Sequence, residues 1–127
     1  MTRPILLDTD VLVDFLRGHP EAVAFVNAGS DRIILSSIVV AELYVGVKGE
    51  AEYAALEDFV SLFRVVSVCA EIGKAGGLYK RDYAKSHGVG LADALLAATA
   101  EAENAELKTL NIRHYSMLKD LRPAYTK

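Results

Sequence analysis

The run Ile5-Leu6-Leu7-Asp8-Thr9-Asp10-Val11-Leu12 drives an apolar strand straight into two carboxylates separated by one residue. An acid at the carboxyl end of a buried strand stands where open α/β sheets bind their ligands, and it is costly there without a partner. A bound cation would supply one. Two further acids stand out by their surroundings. Glu42 lies between Ile38 and Val45, nearly on the apolar stripe that Ile38, Ala41 and Val45 form at spacings of three and four. Asp93 falls in the first turn of a helix whose apolar stripe reads Leu91, Ala94, Leu95, Ala98 and Ala102. Each acid alone has a plain structural account. Asp8 can cap the helix that follows it, Glu42 can border its stripe and reach into water, and Asp93 can complement a helix dipole for about 0.3 to 1 kcal/mol.

The elements that must position these acids alternate along the chain. Residues 4 to 7 read as a strand and 10 to 17 as a short helix ended by Gly18; Pro20 to Asn27 reads as a second helix with proline in its first turn. Arg32 to Leu35 is a second strand, after which Ser36 or Ser37 can cap a helix running to Val47. A helix over Ala51 to Leu62, a strand over Arg64 to Val68 and a long helix from Ala70 to Ser86, closed by Gly88 and Gly90, come next. Leu91 to Glu103 is helical and Glu106 to Thr109 is the fourth strand. Such alternation implies a parallel sheet covered by helices on both faces.

The 127 residues bound the answer to one domain. Apolar residues make up 52% and charged residues 24%, which excludes a disordered or fibrous class. No stretch approaches the roughly 18 to 20 apolar residues of a membrane span, and Asp8 precedes any signal-peptide core, so a cytoplasmic protein is expected. The single cysteine, Cys69, reads as a small apolar residue at a helix start or strand end, and with three scattered histidines it builds no zinc cluster. A net charge of −3 argues against gripping long nucleic acid through the overall field, so any such contact must be local.

Sheet geometry brings the three acids to one end of the fold: Asp8 at the end of strand one, Glu42 a turn or two after strand two, and Asp93 on the helix that feeds strand four. Like charges about 4 Å apart at an effective dielectric near 20 repel by about 4 kcal/mol per pair, so the cluster calls for a cation or for a proton on one acid. Hard oxygen donors without His or Cys select Mg²⁺, with Mn²⁺ as a substitute, over zinc.

The arrangement resembles the PIN-domain ribonucleases, and in particular the VapC-type toxins of toxin–antitoxin pairs, over nearly the whole chain. Leu7-Asp8-Thr9-Asp10-Val11-Leu12-Val13-Asp14 with Leu16-Arg17-Gly18 looks like the family's first motif, and Ser36 to Gly46, carrying Glu42, looks like the second. Leu91 to Ala100, carrying Asp93, matches the third, and Leu107 to Tyr115 the last, with Asn111 where many relatives have Asp. The resemblance implies a PIN-like three-layer α/β/α sandwich with a central parallel sheet of four or five strands, filling residues 1–127 as a single domain. It implies metal-assisted hydrolysis of RNA, with Asp8, Glu42 and Asp93 as metal ligands and, with Asn111, as the catalytic set. Thr9 would be a polar neighbour of the site, and Arg113 and His114 would contact RNA. It also implies a VapB-type antitoxin laid over the acids and a homodimer.

Two departures bear on that expectation. Asn111 adds no charge, and Asp10, where relatives carry a small uncharged residue, either restores some of it or caps the helix. Asp14 reads as a surface ion-pair residue. Lys74, Lys80, Arg81 and Lys85, interleaved with Tyr79, Tyr83 and His87, form either a solvated face or an RNA path. Val47, Tyr53, Leu56 and Phe59 are candidates for either an antitoxin groove or the core. Two other readings remain: a PIN-like module that only binds RNA or protein, and a haloacid-dehalogenase-like phosphatase with Asp8 as nucleophile. The second is weakened by Leu12 and Ala94 where its motifs differ.

Overall fold

In the computed structural model, which describes residues 3–118 and 121–126, four short parallel strands form one sheet in the order β3-β2-β1-β4. The chain runs β1 (Ile5–Leu7), α1 (Thr9–Leu16), α2 (Pro20–Ala28), β2 (Ile33–Ser36), α3 (Ser37–Val45) and α4 (Gly49–Val60). It continues through β3 (Arg64–Val66), α5 (Ala70–His87), α6 (Leu91–Ala102) and β4 (Glu106–Lys108) to a 3-10 turn over Ile112–Tyr115. Leu6 faces Ile34 on one side and Leu107 on the other, and Leu35 pairs with Val65.

The central strands β1 and β2 are buried along their whole length, as a parallel sheet covered on both faces requires. From β1 the chain steps outward to β2 and β3, then returns across the sheet to β4 on the far side of β1. With right-handed crossovers, α1 to α4 lie on one face and α5 and α6 on the other, which is the expected three-layer sandwich. The strand order reverses between β1 and β4, so the crevice outside their carboxyl ends is the place where this topology receives ligands. A fifth strand is reduced to one parallel bridge between Thr109 and Pro123, supported by the Ala124 N–H donating to the Thr109 carbonyl.

Local signals fix the element ends. Asp8 is the N-cap of α1, Pro20 opens α2, and the buried Ser36 hydroxyl caps α3 by accepting the Ile38 N–H at 3.1 Å. Gly88 closes α5 at φ 65°, a left-handed conformation that glycine adopts without strain.

The buried faces of two helices differ from the periodicity. On α3 the buried residues are Val39 and Leu43, whereas Ala41 is exposed and Val45 is 87% exposed, so exposed Glu42 borders a different stripe from the one the periodicity indicates. This helix is apolar on almost every side, and only packing against the sheet chooses its inner face. On α6, Ala94, Leu96, Ala97, Ala98, Thr99 and Ala100 are buried, but Leu91 and Ala102 are exposed, because the helix is enclosed by both α5 and the sheet.

Asp14 is likewise not a surface residue: it is 8% exposed and accepts the Tyr125 hydroxyl at 2.8 Å. Burial, with the Asp14 carboxylate adding to it, raises the Tyr125 pKa, and the Tyr125 ring stacks on His19. Cys69 is an exposed helix cap rather than a packed apolar residue. Strand β3 ends at Val66, and its exposed Arg64 and Val65 mark it as the sheet's edge.

The α5–α6 contact is the tightest helix packing that bears on Asp93. A Cβ built on Gly76 would lie 2.5 Å from Leu95 Cδ2 and 3.1 Å from Leu95 Cα, so rotating the leucine alone cannot relieve the clash. Gly76→Ala is therefore expected to lower stability by about 1 to 3 kcal/mol despite alanine's better helix propensity, as read by urea denaturation.

Candidate metal and nuclease site

The strand-end crevice holds three acids bridged by two buried hydroxyls. Asp8 follows β1 and its Oδ1 accepts the Thr9 N–H at 2.7 Å, as expected of a cap. Its Oδ2 accepts the Thr109 hydroxyl at 2.8 Å and the Tyr115 hydroxyl at 2.7 Å. Thr109 is fully buried immediately after β4, whose pairing with β1 sets it beside Asp8. The same Tyr115 oxygen is 3.1 Å from Asp93 Oδ1 on the first turn of α6. Asp8 and Asp93 thus meet across one phenolic oxygen, although 85 positions separate them in the chain.

Asp10 joins this group. Its Oδ2 accepts the Leu110 N–H at 3.0 Å and lies 3.3 Å from the Thr109 hydroxyl, while Oδ1 accepts the Val11 N–H. It accepts an N–H of the first turn of α1 and ties the turn after β4 to that helix. Glu42 is one step removed: it is exposed, and its Oε1 accepts the Thr9 hydroxyl at 2.7 Å. Thr9 is therefore the link that orients Glu42 towards the first motif.

Asn111 stands on the turn after β4. It is exposed, its backbone N–H donates to the Thr109 hydroxyl at 3.0 Å, and its side chain makes no hydrogen bond among the described residues. His114 Nδ1 lies 3.4 Å from Asp93 Oδ2 at the rim, and Arg113 beside it is exposed. On α5, two of the basic side chains and Tyr79 are engaged locally. Lys80 Nζ donates to the Val89 carbonyl, Arg81 pairs with Asp82, and the Tyr79 hydroxyl bonds Glu101. The His87 side chain lies outside what the structure describes.

The electrostatics are those of an unbalanced acidic pocket. Among the described residues no Lys or Arg forms an ion pair with Asp8, Asp10, Glu42 or Asp93. Burial raises the pKa of Asp10, and the neighbouring Asp8 charge raises it further. Burial raises Asp93 as well, with Asp8 adding to the effect, while hydrogen bonding to Tyr115 and the nearness of His114 oppose it. The Tyr115 phenol, enclosed and facing two carboxylates, is pushed far above its usual range and stays protonated. It carries one hydrogen for two acids. The acid that does not receive it is left to its other donors, to solvent or to a cation.

The donor set fits Mg²⁺ or Mn²⁺: hard carboxylate and hydroxyl oxygens, an excess of negative charge, and no thiolate. Among the described residues no group of three or more His, Cys, Asp or Glu side chains closes into a cage. An ion here would be held by few carboxylates and completed by water, the coordination Mg²⁺ prefers. Glu42, expected as a third ligand, accepts the Thr9 hydroxyl through one oxygen.

Tyr115 and Thr109 are the site residues that sequence reasoning missed. Thr109 carried a usable signal, because it ends the strand adjacent to β1 just as Asp8 ends β1. Tyr115 carried none, since a buried aromatic is usually core and the 3-10 turn alone sends its hydroxyl to the acids.

The raised carboxylates make a stability prediction for the metal-free protein. A carboxyl whose folded pKa lies above the unfolded one favours folding most when protonated, and that contribution is lost as pH rises from below 3.8 through the raised value. Asp93→Asn is therefore expected to raise the unfolding midpoint at pH 7 in chelator, with the gain shrinking towards pH 4. Urea titrations at the two pH values check the sign.

Comparison with known proteins agrees with this geometry. Residues 5–117 match the PIN domain family. The chain is 42% identical over 125 residues to ribonuclease VapC19 of Mycobacterium tuberculosis, covering 94% of this chain and 98% of that one. Among solved structures, VapBC2 from Rickettsia felis bound to a DNA fragment from its promoter is 29% identical, with a TM-score of 0.75 over 92% of this chain and 94% of that one. A toxin–antitoxin complex from Klebsiella pneumoniae shares the fold, with a TM-score of 0.84 at 24% identity over 97% of this chain and 99% of that one. Asp8-Thr9-Asp10 is thereby the opening of a PIN motif and not of a haloacid-dehalogenase-like phosphatase. The chain belongs to the PIN-domain family, among the VapC ribonucleases.

Proposed function

We propose that this chain, a single PIN domain across residues 1–127, is a Mg²⁺-dependent endoribonuclease and the toxin of a VapBC-type toxin–antitoxin pair. The observation that carries the reading is the meeting of Asp8 and Asp93 over one hydroxyl in the strand-end crevice, with no Lys or Arg paired to either among the described residues. Its 42% identity to a protein named a ribonuclease supports the activity. The likeness to VapBC2, a toxin with its antitoxin, supports the partner.

Asp8 and Asp93 would hold the ion, and Glu42 would complete the acidic pocket. When bound, Mg²⁺ or Mn²⁺ supplies Lewis-acid chemistry, offsetting charge on the phosphate and lowering the pKa of the attacking water. Glu42, fixed by the Thr9 hydroxyl and open to solvent, accepts a hydrogen bond from that water and orients it. As water oxygen attacks phosphorus, the bond to the 3′ oxygen breaks and a proton goes to that oxygen, leaving a 5′-phosphate and a 3′-hydroxyl. Arg113 and His114 at the rim contact the RNA backbone. Asn111, exposed beside them, would coordinate the ion through its amide oxygen or orient its water.

A groove of about 560 Å³ opens beside Glu42, lined by Val13, Leu16, Leu43, Val47 and Leu56. Of the groove candidates, Leu56 is buried, Val47 and Phe59 are half-buried, and Tyr53 is 51% exposed. An antitoxin segment lying along this groove would bring its end to the acids, where a cationic side chain would neutralise them as the ion does. A homodimer and a cytoplasmic location belong to the same reading. Among the described residues no helix is long and apolar enough to cross a membrane.

Purified Asp8→Asn and Asp93→Asn are each expected to lose Mg²⁺-dependent RNA cleavage, mapped as new RNA 5′ ends, while keeping the wild-type circular dichroism spectrum. Unchanged cleavage by either variant overturns the assignment. Arg113→Glu is expected to weaken RNA binding and to reduce the slope of log affinity against log salt by about one unit.

A further inference from the structure

Tyr115 is 1% exposed, and its ring lies in the core below the crevice. Its hydroxyl is 2.7 Å from Asp8 Oδ2 and 3.1 Å from Asp93 Oδ1. Asp8 is already well supplied: Thr9 N–H donates to Oδ1 and the Thr109 hydroxyl to Oδ2, so with Tyr115 three protein donors share a carboxylate that offers about four lone-pair positions. A phenol so placed stabilises the paired acids when no ion is present. An ion drawing on Asp8 Oδ2, which already accepts both hydroxyls, competes with it.

Resting on the nuclease reading of this site, we propose that the Tyr115 hydroxyl is a positioning group that competes with the divalent cation for Asp8 and Asp93, and thereby sets the cation concentration at which the enzyme becomes active. Two effects act in the same direction. Phenylalanine at this position keeps the buried ring but removes the competing donor, and it leaves the two carboxylates less well satisfied in the ion-free state. Both favour the ion-bound state. The contrary role, in which the hydroxyl preorganises the acids for the ion, gives the opposite sign.

The test measures Mn²⁺ binding directly, by calorimetry and by loss of the free-ion paramagnetic resonance signal, in the wild type, Tyr115→Phe and Asp8→Asn. Tyr115→Phe is expected to bind Mn²⁺ about tenfold more tightly, the scale of one hydrogen bond to a charged group, with Asp8→Asn binding none. The Mg²⁺ concentration for half-maximal RNA cleavage should fall by a similar factor. Equal or weaker Mn²⁺ binding by Tyr115→Phe, with Asp8→Asn still unable to bind, overturns the competition and leaves the nuclease reading standing. Failure of the wild type to bind Mn²⁺, or undiminished binding by Asp8→Asn, overturns both. Should Tyr115→Phe not fold, the wild type supplies the readout. Tyrosine ultraviolet absorption should shift in step with Mn²⁺ binding as the hydroxyl leaves its anionic acceptor, and binding without that shift overturns the proposal.

Discussion

Carboxylates at the buried ends of strands, with no lysine or arginine paired to them among the described residues, are the constraint from which the rest of this structure follows. Asp10 and Asp93 sit where solvation is poor, and the Asp8 charge raises the cost of theirs. The fold answers with hydroxyls and backbone N–H groups instead of cations: Thr109, Tyr115, Thr9 and Leu110 together supply the donors. That solution keeps the acids in place while leaving their negative charge uncompensated, so the crevice retains its attraction for a divalent ion.

Topology makes this arrangement possible. Because the chain returns across the whole sheet before forming β4, the first and last strands become neighbours, and the turns that follow them share one crevice. α6 delivers Asp93 to that crevice, and the 3-10 turn after β4 swings Tyr115 beneath it. The last described residues brace the same region. Pro123 bridges to Thr109, and Tyr125 holds Asp14 on α1, the helix that Asp8 caps. The strand ends and the helix that carry the acids are thus fixed from several directions, which rigid positioning of a charged site requires.

Much of the architecture was legible in local residue types. Strand and helix order, Asp8 as a cap, Pro20 opening α2, Ser36 capping α3 and Gly88 closing α5 all follow from backbone chemistry that acts within a few residues. Faces were less legible. The nearly all-apolar α3 gave no contrast from which to choose its buried side, so Val39 and Leu43 could not be preferred over Ala41 and Val45. Asp14 was misread for a related reason: its hydroxyl partner, Tyr125, comes from 111 positions further along the chain, beyond anything that spacing can show.

The sequence by itself determined a βα-alternating chain with acids at the ends of apolar segments, because cap preference, strand propensity and helical period are properties of neighbouring residues. Only tertiary structure decided that Asp8 and Asp93 share Tyr115, that Thr109 closes the site from below, and that Glu42 stands one hydroxyl away while the Asn111 side chain makes no hydrogen bond among the described residues. Those relations depend on which strands become neighbours and on where a short turn aims one phenol. Both are set by packing of the whole sheet, where a displacement of an ångström or two separates a hydrogen bond from none.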